Sequence, residues 1–508
     1  MTAAVPEPEP GKGPDGPDYN DPLTPDDILS RAGGGAGGRA SDSQASRLVA
    51  LAHQHYRLLR GEDGRPYARP HDGPAVAYNL RGRDALRTRL AGLYYDTYSA
   101  SPAGSALTDA LTVLEGQVER TEPEPVALRV APAGERRVVL DLGGIDGRCV
   151  LISPVGWRVL DRSPVLFRRS ALTAPLPEPA RGGSLDPLRA LLNVDESGFR
   201  LIVAWLVATL APAIPHPILA LVGEQGTAKS TAARLVVSLV DQSPAPLRTP
   251  PREMRSWAAA ASASWVVALD NVSTIPDWFS DTLCKAVTGD GIVERALHTD
   301  DDINVLTFRR CVMLTSIDAG RLAGDLAERL LTVELARIPS DSRRPDAEIA
   351  AAYESAKPSL LGALLDVTVE ALAALPGVRL DELPRMADFA RILGALDRAL
   401  GWDSLVDYRR AAAQATQVVL ESDPVAEAIV SLVGRGGAWK GTASELLDRI
   451  TPERRPRGWP QTPHAMAGAL KRLAPALRAN GISVDRHSRG QTRTITLRAE
   501  DPWASANA

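Results

Sequence analysis

The run "PILALVGEQGTAKSTAARLVVSLVD", Pro217 to Asp241, constrains this chain more than any other. Apolar residues that read as a buried strand pass into a glycine turn, and an apolar-periodic helix opens at Lys229-Ser230-Thr231. Such a turn points backbone N–H groups at one spot, which suits phosphate oxygens. Gly223, Glu224, Gln225, Gly226, Thr227, Ala228, Lys229, Ser230 and Thr231 are therefore the expected ATP contacts. Lys229 would meet the outer phosphates and the Ser230 hydroxyl would bind Mg2+. The usual pattern, G-x-x-x-x-G-K-[ST], has glycine where this chain has Ala228, and the extra methyl is tolerable there if φ is negative.

A phosphate loop needs an acid at the end of a neighbouring strand to hold the metal. "WVVALDN" supplies Asp270 about 40 residues on. Asn271 follows where many ATPases carry a glutamate, and an amide cannot take a proton from water. Asp281 and Asp277 are the nearest alternative bases, or else hydrolysis is slow. Strand-like runs "ILALVG", "WVVALD", "CVMLTS" and "LLTVEL" alternate with helical stretches, as in a parallel α/β sheet.

"GEQGTAKST" resembles the phosphate loop of minichromosome-maintenance helicases, which also carry Thr-Ala-Lys-Ser. Lys285, Thr288-Gly289-Asp290 and Arg295, followed by "RRCVMLTS" and "GDLAERLLTVEL", resemble the superfamily 3 helicases of the poxvirus, phage and mobile-element primase-helicase branch. The match runs from about Pro217 to Ile338. Across nearly its whole length the chain also looks like ATP-binding replication proteins of bacterial mobile elements, through "GWRVL", "LPEPARGGS" and a late "WP". The resemblance implies an α/β fold with an AAA+ type P-loop core. It further implies a homo-oligomeric ring, most simply a hexamer, an ATP-dependent DNA helicase or translocase activity, and contacts with other replication proteins. By it Thr315 or Ser316 is the polar sensor, although asparagine is usual there, and Arg329 is the finger reaching a neighbouring subunit's ATP. A helical pairing of Arg329 with Asp325 is the structural alternative. The family grips DNA with a hairpin before the sensor strand; here that region reads "HTDDDINV", whose aspartates repel phosphate, with Arg295, His298, Arg309 and Arg310 as candidates to compensate.

The rest of the chain reads in four parts around residues 186–340. Residues 1–45 are rich in Pro and Gly and read as a disordered tail. Residues 46–185 read as helical, with "SRLVALAHQHYRLLR" one amphipathic helix, then β-rich. Asp141 and Asp146, five apart across a glycine turn, read as turn residues rather than a metal pair. Residues 341–422 read as a helical lid or linker. Residues 423–508 read as three helices and a hairpin, a winged helix. Arg435 to Arg498 holds 13 Lys and Arg against four acidic residues, or +9, in a chain whose formal charge is -4. That segregation marks a DNA-binding face, assigned to Lys471, Arg472, Arg478, Arg486, Arg489 and Arg493.

Cys149, Cys284 and Cys311 are isolated in apolar runs and suit a reducing cytoplasm. The charge-free stretch from Leu201 to Gly223 is cut by Pro212, Pro215 and Pro217, so it is read as a helix and a strand, with no membrane partner. The competing functional reading is a nucleotide-switched origin binder or helicase loader with little hydrolysis.

Overall fold

The computed structural model describes residues 43–82, 85–295, 303–317, 326, 328–456, 459–489 and 492–499. The expected tail lies almost wholly outside them. Two compact units emerge: one gathers the described residues up to Leu59 with Pro66–His71 and Asn79–Glu122, and the other holds Arg60–Arg65, Asp72–Tyr78 and the chain from Pro123 on.

In the first unit a helix spans Gln44–His55, its amino terminus capped by Ser43 Oγ accepting from the Ser46 nitrogen. The helix expected to run on to Arg60 stops there. Tyr56 is extended, at φ -138° and ψ 139°, and opens a strand, Tyr56–Gly61, beside Pro66–Pro70. Strand pairing overrides an amphipathic pattern that helix and strand could both satisfy. His53 Nε2 lies 2.9 Å from Gln117 Oε1, a structural contact within this unit.

The second unit begins with an antiparallel sheet of Val130–Pro132, Val138–Asp141, Cys149–Ser153 and Gly156–Leu160. Asp141 is buried, accepts two bonds from Arg169 and caps its turn through the Gly143 nitrogen, while Asp146 pairs with Arg148. Both acids serve the turns. After the helix Glu196–Thr209 comes a five-stranded parallel sheet: β1 Ile218–Val222, β2 Leu247–Arg248, β3 Val266–Leu269, β4 Cys311–Ser316 and β5 Leu330–Glu334, in the order β5-β1-β4-β3-β2. Leu219 and Leu221 of β1 enter one apolar cluster, and Ile218, Ala220 and Val222 enter another. Burial on both faces explains why β1 reads as a continuous apolar run.

The first cluster continues into the helices Asp346–Ala374 and Ala387–Leu400. Asp346–Gly377 is long and apolar enough to cross a membrane, yet Leu360, Leu361, Leu364 and Leu365 are buried in this core. At the end of the chain, helices Pro424–Gly436, Ala443–Ile450 and Pro463–Ala479 pack with strands Ala438–Gly441, Ile482–Arg489 and Thr492–Ala499 around a separate apolar cluster. The strand Ala438–Gly441 is absent from the sequence reading; it pairs with Thr492–Ala499 and completes a three-stranded antiparallel sheet.

Candidate functional site

β1 ends at Val222, and the chain turns through Gly223–Ala228 into the helix α1, Lys229–Val240. Gly223 has φ +152°, and a Cβ there would stand 2.8 Å from the Leu335 carbonyl oxygen and 3.0 Å from Thr227 Oγ1, so the turn admits only glycine. Thr227 is buried, with its hydroxyl donating to the Glu224 carbonyl at 3.0 Å; Glu224, Gln225 and Gly226 are exposed. Ala228 corrects an expectation. Its φ is +60°, left-handed, where a Cβ crowds the following carbonyl and costs roughly 1–2 kcal/mol. The loop keeps the backbone shape of the glycine it lacks.

Lys229 Nζ donates to the carbonyl oxygens of Gly223 and Glu224, both at 2.7 Å, so the ammonium sits inside the loop. Partial burial lowers its pKa, opposed by Asp270. Ser230 Oγ donates to both oxygens of Asp270, at 2.8 and 3.0 Å. The loop and the β3 acid, 40 residues apart, thus meet. Thr315 on β4 also donates to Asp270 Oδ1, at 2.6 Å, and accepts the Asn271 N–H at 2.8 Å. Ser316 faces the other way, its buried hydroxyl donating to the Val272 carbonyl at 2.8 Å, because neighbouring strand residues alternate faces. Of the two candidate sensors, only Thr315 reaches the acid.

Asn271 has φ +56°. Asn tolerates that conformation better than glutamate, so the backbone explains a residue that looked anomalous as chemistry. Asp281 is exposed on the helix α2, Asp277–Thr288, and no hydrogen bond or ion pair joins it to the loop among the described residues. The Asp277 side chain lies outside the described set. One cation escaped the sequence reading: Arg343 Nη2 lies 3.6 Å from where a Cβ on Gly226 would stand. Its only signal was an Arg-Arg pair soon after β5, whose exit is tied to the loop by the Leu335 N–H donating to the Val222 carbonyl at 2.8 Å.

Residues 185–417, which hold this whole arrangement, match the family model described as "Actinomycete integrative conjugative element replication protein". Residues 425–507 match the C-terminal domain model of the same family, so the two matches take in more than half of the chain. The chain belongs to this replication-protein family. It is a replication protein of a mobile element. No curated protein matches it. Among solved structures it is similar to the apo C-terminal region of NrS-1, at 9% identity over 91% of this chain and 100% of that one, with a TM-score of 0.37. A second apo form of the same region gives 10% identity over 89% and 99%, with a TM-score of 0.38.

In this replication protein Arg329 sits where β5 begins, its carbonyl accepting the Ile218 N–H at 2.8 Å, at the opposite end of the sheet from Lys229. It is half-buried. Asp325, the helical partner considered for it, lies outside the described residues. A two-stranded hairpin, Gly291–Arg295 with Ile303–Thr307, precedes β4, and its acidic tip with His298 is likewise outside the described residues. Arg309 and Arg310 are engaged with backbone carbonyls of the described residues. Arg309 donates to the Thr288 and Pro212 carbonyls, and Arg310 is buried. Near the carboxy terminus, Met466, Leu470, Leu473 and Leu477 are buried on the helix α3, Pro463–Ala479, and Lys471, Arg472 and Arg478 are exposed on it. Arg486 is exposed and donates to the Ala467 carbonyl at 2.8 Å. The side chains of Arg489 and Arg493 lie outside the described set.

Proposed function

We propose that this replication protein is a magnesium-dependent ATPase of AAA+ type that moves or opens DNA during replication of its element. The observation that carries the proposal is the meeting of Ser230 with Asp270 beside the loop lysine. A hydroxyl and a carboxylate are the hard oxygen donors that Mg2+ accepts alongside phosphate oxygens, and the residues present fit that ion. Bound there, Mg2+ supplies charge neutralisation on the outer phosphates. Lys229 exchanges the Gly223 and Glu224 carbonyls for phosphate oxygens, the loop N–H groups orient the triphosphate, and Thr315 holds the Asp270 carboxylate in place. Arg343 adds a second cation beside Gly226.

Arg329, remote from its own loop, acts on a neighbouring subunit's ATP in a ring, and a hexamer is the simplest closed form. The carboxy-terminal module is a winged helix that presents α3 to DNA in the cytoplasm. Asn271 supports a second reading, a loader or origin binder that binds ATP and hydrolyses it slowly, since an amide cannot take the proton and Asp281 makes no hydrogen bond or ion pair to the loop among the described residues.

A steady-state ATPase assay beside strand displacement on forked DNA separates the two. ATP turnover with displacement supports the motor, and ATP binding without displacement supports the loader. Lys229→Ala that still binds ATP at wild-type affinity overturns both. Mixing inactive Lys229→Ala with inactive Arg329→Ala should restore activity at mixed interfaces, and mixed rings without restored activity remove Arg329 from the site.

A further inference from the structure

At the amino-terminal ends of β3 and β4, opposite the phosphate loop, a cavity of about 190 Å³ opens among residues that the nucleotide site does not use. Trp265, just before β3, and Arg310, just before β4, line it with Phe308, Arg65, Asp63 and Arg168.

Arg310 sets its character. The residue is 9% exposed, and its guanidinium lies 5.1 Å from the centre of the Phe308 ring. Nε donates to the Ala261 carbonyl at 2.5 Å and Nη1 to the Arg309 carbonyl at 2.6 Å. A guanidinium has five N–H donors. Among the described residues Nη2 has no acceptor, and no carboxylate forms an ion pair with Arg310. Arg168 donates to the Ser262 carbonyl at 2.7 Å and shares Asp63 with Arg65, at 3.7 and 4.0 Å. Three arginines therefore line the cavity against Asp63 and the exposed Glu62, leaving its lining net positive. Burial, and next the neighbouring Arg168, push the Arg310 guanidinium down to about 9. A buried cation with no ion-pair partner is expensive, Asp241 acting on it only weakly, and an anion in the cavity lowers that expense.

We propose that this cavity binds a small phosphate-class oxyanion, held by Nη2 of Arg310 with Arg168 and Arg65 around it. Its volume is below the roughly 300 Å³ of the smallest drug-sized ligand pockets, which favours inorganic phosphate or the phosphate end of a small ester over a nucleotide. An anion here pins the entry of the two strands whose far ends carry Asp270 and Thr315.

The test titrates inorganic phosphate into the full-length Lys229→Ala chain by calorimetry, at ionic strength held constant with chloride, so that the loop's own phosphate site is disabled. One phosphate should bind. Adding Arg310→Met should weaken binding about tenfold or more, the scale set by losing charge-assisted hydrogen bonds. Arg65→Gln, at a side chain 37% exposed, gives a milder second variant that leaves the core intact and should weaken binding several-fold. Equal affinity for glycerol phosphate would identify an ester end as the ligand, and preference for the inorganic ion would identify the free anion. No phosphate uptake by the Lys229→Ala chain, or uptake unchanged in folded Arg310→Met and Arg65→Gln, overturns the proposal. Because the loop is disabled throughout, failure here leaves the ATPase reading untouched.

Discussion

Thr315 Oγ1 stands 2.6 Å from Asp270 Oδ1 and 2.8 Å from the Asn271 nitrogen, so a single hydroxyl joins β4 to the acid at the end of β3. It donates to the carboxylate and accepts the amide. Thr315→Val keeps the shape, strands the Asn271 N–H and leaves Ser230 as the side chain holding the Asp270 carboxylate. The expected loss is about 1–3 kcal/mol of stability for the unsatisfied amide. ATP turnover should fall by about tenfold or more while Thr315→Ser retains most of it. Denaturant titration and a turnover assay on both variants check this, and equal turnover in Thr315→Val and wild type would remove Thr315 from the site.

Ala228 and Asn271 are both left-handed, at φ +60° and +56°. Ala228→Gly relieves about 1–2 kcal/mol of backbone strain and gives back about 0.5–1 kcal/mol in unfolded-state entropy, so a net gain of up to about 1.5 kcal/mol is expected. Asn271→Glu, which would install a base where many ATPases have one, carries a strain penalty of about 1 kcal/mol and moves the Thr315-bound amide. Its stability should fall and turnover should rise little. Urea midpoints for the two variants, shifted in opposite directions, are the check; shifts of the same sign contradict the backbone assignment.

The loop was legible because its chemistry is local: strand, glycine turn and Lys-Ser occupy consecutive residues. Asp270 was legible only through the loop upstream, because a strand-end acid by itself is as readily a solvent-facing residue. What the sequence could not show depends on backbone conformation and on return paths. The sign of φ at Ala228 is a property of the closed loop, and Thr315 is chosen over Ser316 by strand register. Arg343 reaches Gly226 only because the chain after β5 folds back. The strand at Tyr56 was hidden by a pattern that also fits a helix, and pairing with Pro66–Pro70 decides it.

His216 is fully buried, its Nε2 placed 3.0 Å from the Ala208 carbonyl and its ring edge-on to Trp265 at 5.6 Å. Burial lowers its pKa to about 4. Folded, it stays neutral down to that value; unfolded, it takes up a proton near the ordinary value of 6.5. The unfolded state therefore binds more protons between these values. The stability that His216 contributes is complete above pH 6.5 and drains away as pH falls toward 4, by roughly 3 kcal/mol in all. Unfolding free energies across this range should lose that component in His216→Gln, after subtraction of the carboxylates common to both chains. An identical pH slope in the two proteins would show that His216 titrates in the fold as it does in the unfolded chain.

Lys471 and Arg472 lie side by side on the exposed face of α3, above a stripe of Met466, Leu470, Leu473 and Leu477 that fixes the helix to its own apolar cluster. The stripe orients the helix, so the charges can change without disturbing its packing. If both side chains sit on phosphates, Lys471→Glu with Arg472→Glu should weaken duplex binding by the full-length chain. It should also flatten the plot of log affinity against log salt by about 0.9 for each phosphate no longer neutralised, roughly 1.8 together. ATP turnover without DNA should stay near wild type, because the strands that carry the loop, Asp270 and Thr315 pack into a different apolar core. A weaker affinity with an unchanged slope would mean that the reversal acts through repulsion at a distance, and unchanged affinity would assign this basic face to a protein contact instead.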